Sequence, residues 1–277
     1  MTASAFISGT AEIRFAGSTL CGYVIAGIAD LLLPAAAFLW LKKYRAARVY
    51  PVITGIVMYF LAVQFSNLLA NMIGLRQSLA VRTVLAAELV CYLEEGARWL
   101  AMRWPVTDIR NTHSAVCYGI GHAGLECWIR GFQEFKICRF GQQINSEGIS
   151  QFLAGRNMQQ TAELTEQLRG YADNHFAYSM LDILNSMTNF GFHLALSLLI
   201  FKKMQETNYQ KRWLLLAVLL HMLLNGSGWL ASLSDSMLLQ KLTGIFCGAA
   251  VMILVHKLID GRACIDDIRF RMDNDID

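Results

Sequence analysis

Two adjacent glutamates and an arginine form the first group of residues that could do chemistry. Glu94 and Glu95 are followed by Arg98, which comes four residues after the first and three after the second. On a helix this spacing lets Arg98 pair with either carboxylate, while the two glutamates project about 100° apart. A glutamate placed in this way is a candidate general base that activates water.

Histidines with polar partners at helical spacing form the second group. His122 and Glu126 are four residues apart, as are His221 and Asn225. His193 belongs to a run of polar residues spaced by three and four, which predicts a polar stripe on one helix face. Histidine and asparagine can donate hydrogen bonds to the oxyanion that forms when water attacks a peptide carbonyl.

A metal-dependent mechanism would use the same side chains. His122, His193 and His221, with Glu126 as a fourth candidate, are ligand types that Zn²⁺ takes in catalytic sites. One of the two adjacent glutamates would then deprotonate the metal-bound water. The sequence contains no HExxH motif, and it leaves the glutamate and metal mechanisms both open.

The composition indicates that membrane helices carry these residues. The chain has 277 residues, of which 55% are hydrophobic and 16% are charged, whereas a soluble domain averages about 25% charged residues. Residues 49–75 contain no formal charge and are long enough to cross a hydrocarbon core of about 30 Å. The sequence therefore predicts an all-α fold, a polytopic transmembrane bundle that forms a single integral membrane domain over residues 1–277.

Seven membrane spans and one sizeable extramembrane segment, residues 136–176, are predicted. The spans cover residues 18–41, 50–73, 79–102, 112–135, 177–201, 213–233 and 240–258. Lys and Arg concentrate in the first, third and fifth connections and in the C-terminal tail, and basic connections stay in the cytoplasm. We therefore expect a protein of the inner (cytoplasmic or plasma) membrane with its N-terminus outside and its C-terminus in the cytoplasm.

The predicted topology brings the chemical groups to one depth in the membrane. Glu94, Glu95 and His193 fall in the cytoplasmic half of the bilayer, and His122 and His221 fall near its centre. Charged side chains in a membrane helix cost about 2.5–3.5 kcal/mol each on insertion scales and normally mark a functional site. The expected active site therefore lies in the inner half of the bilayer.

Short motifs on three predicted helices resemble, in order, those of the CAAX protease and bacteriocin-processing (CPBP) membrane peptidases. The chain has EExxR at 94–98, YxxxH at 118–122 and HxxxN at 221–225, where that superfamily has EExxxR, FxxxH and HxxxN/D. The similarity is closer to the YhfC-type membrane peptidases of bacteria, whose EExxRW-like and G-x-G-H-x-G-x-E motifs match residues 94–99 and 119–126. The resemblance covers the third to sixth spans, about half of the chain.

The resemblance implies an intramembrane endopeptidase that hydrolyses a peptide bond of a membrane-associated protein or peptide. Glu94 and Glu95 would activate water, and His122 would assist them. His221 and Asn225 would stabilise the oxyanion. Three further residues, Arg98, Glu126 and His193, would support the site, and His193 would serve either the oxyanion or a metal. Zn²⁺ is the cofactor expected if the metal mechanism applies.

Two other functions fit the same pattern of membrane histidines and carboxylates. A non-catalytic relative would keep the pocket as a scaffold or binding subunit, as the anterior-pharynx-defective subunit of γ-secretase does within the superfamily. A transporter coupled to protons or metal ions would use the polar groups as a relay. The intact acidic motif favours the peptidase over the scaffold, and the absence of an inverted repeat disfavours a transporter. The expected partners are the lipid bilayer and a membrane-bound substrate, with no nucleic acid.

Overall fold

The computed structural model describes residues 12–43, 47–74, 79–103, 111–204, 210–234 and 236–259. Within these residues the chain is all-α and contains no strand. The helices are α1 (Gly17–Lys43), α2 (Val49–Gly74), α3 (Leu79–Arg103), α4 (Thr112–Glu147), α5 (Ile149–Phe152), α6 (Met158–Ala172), α7 (Phe176–Met204), α8 (Gln210–Ser232) and α9 (Met237–Leu258). The predicted fold class, a polytopic helical membrane protein, is confirmed.

Each of the seven predicted spans coincides with one long helix. Five of these helices, α1, α2, α7, α8 and α9, are long and apolar enough to cross a membrane by composition alone. The other two, α3 and α4, carry the acidic and histidine motifs, which lower their mean hydropathy. By composition alone, five of the described helices are candidate membrane spans. Helices α3 and α4 could also cross the membrane if their polar side chains are satisfied inside the protein.

Helix α4 extends past the predicted span. The span was predicted to end at residue 135, and the helix continues without a break to Glu147 and ends before Gly148, whose φ is +83°. Charged residues mark the end of an apolar stretch and do not stop a helix, so the end of the span at residue 135 stays a prediction. The rest of the predicted extramembrane segment contains α5 and α6.

Helix α6, in the same segment, is amphipathic. It begins with a capping box in which the Asn157 side chain accepts from the Gln160 backbone and the Gln160 side chain accepts from the Asn157 backbone. Its buried residues, Thr161, Thr165 and Leu168, are spaced by four and three and so form one face. The opposite face is exposed, as the sequence pattern indicates.

The chain divides into two compact units. One contains Met1–Leu31 and Trp128–Ile183, and the other contains Leu32–Cys127 and Leu184–Asp277, as far as these ranges are described. Helices α1, α4 and α7 contribute residues to both units. All of the predicted site residues belong to the second unit, and a single integral membrane domain over residues 1–277 stays a prediction.

Glycines allow α2 and α4 to approach each other closely. A Cβ added at Gly121 would collide with the backbone carbonyl of Val52, and one added at Gly55 would collide with that of Tyr118. The two helices therefore touch backbone to backbone, the packing that small residues permit in membranes. The contact also holds the ring of Tyr59 beside His122, which sits one residue after Gly121.

An apolar core supports the polar side chains from one side. It is formed by buried residues of α7, α8 and α9, among them Leu196, Leu220 and Val255. Phe192 belongs to this core and packs its ring edge-on against His193 and His221, with centroid distances of 5.2 and 5.3 Å. Because the core is close-packed, it fixes the orientation of both imidazoles.

Replacing Gly121 by alanine is expected to destabilise the protein, because the new Cβ overlaps the Val52 carbonyl. Overpacking costs about 1–3 kcal/mol, so we expect the melting temperature of the purified protein to fall by about 5 °C. The matched control is Gly170→Ala on α6, where an added Cβ meets no atom within 4 Å. Equal melting temperatures for the two variants would contradict the close approach of α2 and α4.

Candidate functional site

The adjacent glutamates of α3 face different neighbouring helices. Glu94 Oε2 lies 2.9 Å from Nε2 of His122 on α4, whereas Glu95 Oε1 lies 2.9 Å from Nδ1 of His221 on α8. Both glutamates are buried, at 3% and 0% exposure. The angle of about 100° between consecutive helix positions explains the divergence: each carboxylate meets its own histidine.

Arg98 pairs with Glu95 and not with Glu94. Its Nη1 donates to both carboxylate oxygens of Glu95, one helical turn away, and the guanidinium is fully buried. The sequence spacing allowed either partner, and the structure selects the one three residues away. A buried carboxylate between a guanidinium and an imidazole stays ionised, since both neighbours favour its negative charge.

The hydrogen bond with Glu95 determines which ring nitrogen of His221 carries the hydrogen. An ionised carboxylate can only accept, so Nδ1 of His221 carries the hydrogen and donates it to Glu95. In the neutral imidazole, Nε2 then bears a lone pair. This arrangement is the carboxylate–histidine pair that orients a proton-transferring imidazole in many hydrolases.

His193 lies at the centre of the group, between two other histidines. Its ring centroid is 5.0 Å from that of His122 and 5.2 Å from that of His221. Arg98 Nη2 lies 2.9 Å from Nδ1 of His193, and Nε2 lies 3.0 Å from Oε2 of Glu126. Because arginine has only donors, Nδ1 accepts and Nε2 carries the hydrogen that is donated to Glu126.

Glu126 joins α4 to two residues of α7. Its Oε1 accepts from Asn189 Nδ2 at 2.7 Å, and its Oε2 accepts from His193. Asn189 and His193 are four residues apart on the polar stripe of α7. The polar stripe of α7 therefore faces α4. Asn189 is a member of the group that the sequence alone did not single out as a site residue.

His122 has one ring nitrogen without a hydrogen-bond partner among the described residues. Its Nε2 faces Glu94, but its Nδ1 is buried and unpaired, and the side chain has 0% exposure. The ring is held edge-on by Tyr59, at a centroid distance of 5.0 Å. A buried imidazole nitrogen that lacks a partner is costly in an apolar interior unless it binds something.

Glu94, His122 and His193 together form a group that could hold a metal ion. One candidate ligand atom from each residue lies within 4.8 Å of the others, and all three residues are buried. Two imidazoles and one carboxylate form the donor set of several catalytic zinc sites, and Nε2 of His122 already faces the Glu94 carboxylate. The residues present thus fit a divalent cation.

The grouping differs in part from the ligand set expected from sequence. His122 and His193 belong to the ligand set expected from sequence and to the group in the structure. The third member of the structural group is Glu94, whereas the sequence analysis named His221 and Glu126 as the other candidate ligands. His221 and Glu126 each border His193 instead. Spacing along the chain could not distinguish these choices, because the residues lie on separate helices, so the identity of the ligands stays a prediction.

Asn225 contacts α3 one turn away from the glutamates. Its Nδ2 donates to Sγ of Cys91 at 3.2 Å, and the side chain is half-buried. Since Cys91 precedes Glu95 by four residues and Asn225 follows His221 by four, α3 and α8 run antiparallel. Asn225 is therefore close to the acidic motif, and its predicted role in oxyanion binding stays a prediction.

Replacing Arg98 by methionine is expected to destabilise the fold strongly, because Glu95 would become a buried carboxylate without its cation. Breaking a buried ion pair costs about 3–5 kcal/mol, which corresponds to a drop of roughly 10 °C in melting temperature. The double variant Glu95→Gln/Arg98→Met should recover part of this loss, since it removes both charges. The control Arg169→Met changes an exposed arginine of α6. If it lowered the melting temperature as much as Arg98→Met does, the buried Arg98–Glu95 ion pair would be contradicted.

Comparison with known proteins identifies the family. The family model described as YhfC intramembrane metalloprotease matches residues 29–246, which is more than three quarters of the chain and includes every residue of the site. No curated protein and no solved structure matches the chain. On the extent of the family match, the chain belongs to the YhfC intramembrane metalloprotease family.

Proposed function

We propose that this protein is an intramembrane endopeptidase that hydrolyses a peptide bond of a membrane-embedded protein or peptide with the help of one divalent metal ion. The observation that carries the proposal is the buried group of Glu94, His122 and His193, contributed by α3, α4 and α7. Such a group inside a membrane bundle is costly to maintain unless it serves a function.

The three residues would hold the metal through one carboxylate oxygen and two imidazole nitrogens. A bound Zn²⁺ polarises a substrate carbonyl and acidifies a water molecule. His122 would have to exchange its contact with Glu94 for the metal, because Nε2 is the ring nitrogen that faces the Glu94 carboxylate. His193 would have to exchange its contact with Arg98 or Glu126 for the metal, because both of its ring nitrogens are engaged.

The pair of Glu95 and His221 is suited to move the proton. Glu95 holds the hydrogen on Nδ1 of His221, so Nε2 is free to take a proton from the attacking water. The resulting imidazolium is a donor at Nε2, which can stabilise the oxyanion and then protonate the leaving nitrogen. Asn225, one turn further along α8, is the second proposed oxyanion donor.

The proposed orientation follows from the basic connections. The N-terminus is outside, the C-terminus is cytoplasmic, and the active site lies in the inner half of the bilayer. The substrate is then a membrane segment cut near the cytoplasmic side. A buried site of this kind requires the substrate backbone to unfold locally, since a peptide bond inside a helix is shielded by its own hydrogen bonds.

The variants Glu94→Gln and His122→Ala are each expected to reduce cleavage by about 100-fold or more, because each removes a proposed ligand of the metal that would activate water. Cleavage is measured by labelling new N-termini in membranes from cells that express each variant. The control Glu163→Gln alters an exposed carboxylate of α6. Wild-type levels of new N-termini in both site variants, with monodisperse purified protein, would overturn the peptidase proposal in favour of a scaffold.

Elemental analysis of the purified protein is expected to find about one equivalent of a divalent metal per chain. A chelator should remove this metal and the activity together. His122→Ala should abolish metal binding, whereas the matched control His256→Ala, an exposed histidine of α9, should keep it. An active enzyme that contains no metal would select the alternative in which Glu94 activates water directly.

A further inference from the structure

Three helices bring cationic side chains and two tryptophans to one end of the second unit. Arg103 of α3 lies over the ring of Trp99, with its Cζ 4.8 Å from the centroid. Lys203 of α7 and Arg212 of α8 both lie over the ring of Trp213, at 4.8 and 5.5 Å. Each cation is thus held on an indole face, a contact worth about 0.5–1 kcal/mol at an exposed site.

The two halves of this arrangement lie at one level of the bundle. Helices α3 and α8 are antiparallel, and Glu95 lies at the level of His221. Eight residues further along α3, and eight residues back along α8, the same register brings Arg103 to the level of Trp213. The displacement is about 12 Å from the Glu95–His221 pair, close to the half-thickness of about 15 Å of a hydrocarbon core.

The described turns of α3, α7 and α8 at this end carry only positive charge. The last two turns of α3 and α7 and the first two turns of α8 contain no Asp or Glu among the described residues. Arg103 and Arg212 are exposed, and Lys203 is half-buried. Both tryptophan rings pack against the apolar core of the unit. The indole rings are therefore held in place, and they restrict the positions of the cationic side chains that lie over them.

We propose that Arg103, Lys203 and Arg212 form a binding site for the phosphate-bearing headgroup of an anionic phospholipid. Guanidinium groups bind phosphate through paired hydrogen bonds, and tryptophans at the membrane surface lie at headgroup level. The acyl chains would pass along the exposed apolar residues of α8, such as Leu215 and Leu219. The inference does not rest on the proposed peptidase activity.

Occupation of this site would anchor the helices that carry Glu95, His193 and His221 at a fixed depth. The lipid is chosen over an acidic protein partner because the cations lie where a membrane surface is expected, two helical turns from a layer buried in the bundle. One phosphate shared by three helices would also hold the ends of α3, α7 and α8 together.

Native mass spectrometry of the full-length protein measures this binding, with phosphatidylglycerol and phosphatidylcholine added in equal amounts to the detergent. The wild-type protein is expected to retain one phosphatidylglycerol at least tenfold more than phosphatidylcholine. Arg103→Gln/Arg212→Gln should lose this preference by about tenfold. The variant Arg103→Lys/Arg212→Lys keeps both charges but loses the paired hydrogen bonds, so its preference should fall between those of the wild type and the glutamine variant.

The matched control is Lys211→Gln/Lys257→Gln, which removes two exposed positive charges from α8 and α9 and leaves the three cation–indole contacts in place. This control should retain phosphatidylglycerol like the wild type. An equal loss in both double variants would mean diffuse attraction to anionic lipid and would overturn the site. Equal retention of the two lipids by the wild type would overturn it as well.

Discussion

The buried guanidinium of Arg98 is the interaction on which the rest of the site depends. It neutralises Glu95 through one nitrogen and donates to His193 through another. In a membrane bundle an ionised carboxylate without a counter-charge would be too costly to bury. The arginine therefore allows two histidines and a glutamate from three helices to be present together, and it also decides which ring nitrogens carry protons.

Backbone packing sets the distances that this network requires. The glycine contact between α2 and α4 lets His122 reach Glu94 while its ring is held by Tyr59. Phe192 holds the rings of the other two histidines from the apolar side. Stability and chemistry are thus linked in this protein, because the same helix contacts that close the core also complete the polar group.

The network divides into two parts that meet at His193. In one part, Glu94 and His122 offer a carboxylate and an imidazole with an unpaired nitrogen. In the other, Glu95 and His221 form a pair with a fixed proton position. A hydrolase needs both functions, a site that activates water and a group that moves protons, and in the proposed mechanism the adjacent glutamates would serve one each because helix geometry turns them apart.

The sequence alone determined the helical membrane fold and singled out candidate residues for the site. Apolar length identifies spans, and charged groups inside them are too costly to be accidental, so Glu94, Glu95, His122, His193 and His221 stood out without a structure. It did not locate the end of α4, since hydropathy does not mark where a helix stops. Only the tertiary structure decided that Arg98 pairs with Glu95 and that Asn189 donates a hydrogen bond to Glu126. It also decided that Glu94 lies close to His122 and His193. These choices depend on how separate helices rotate and approach each other, and spacing within one helix carries no information about that.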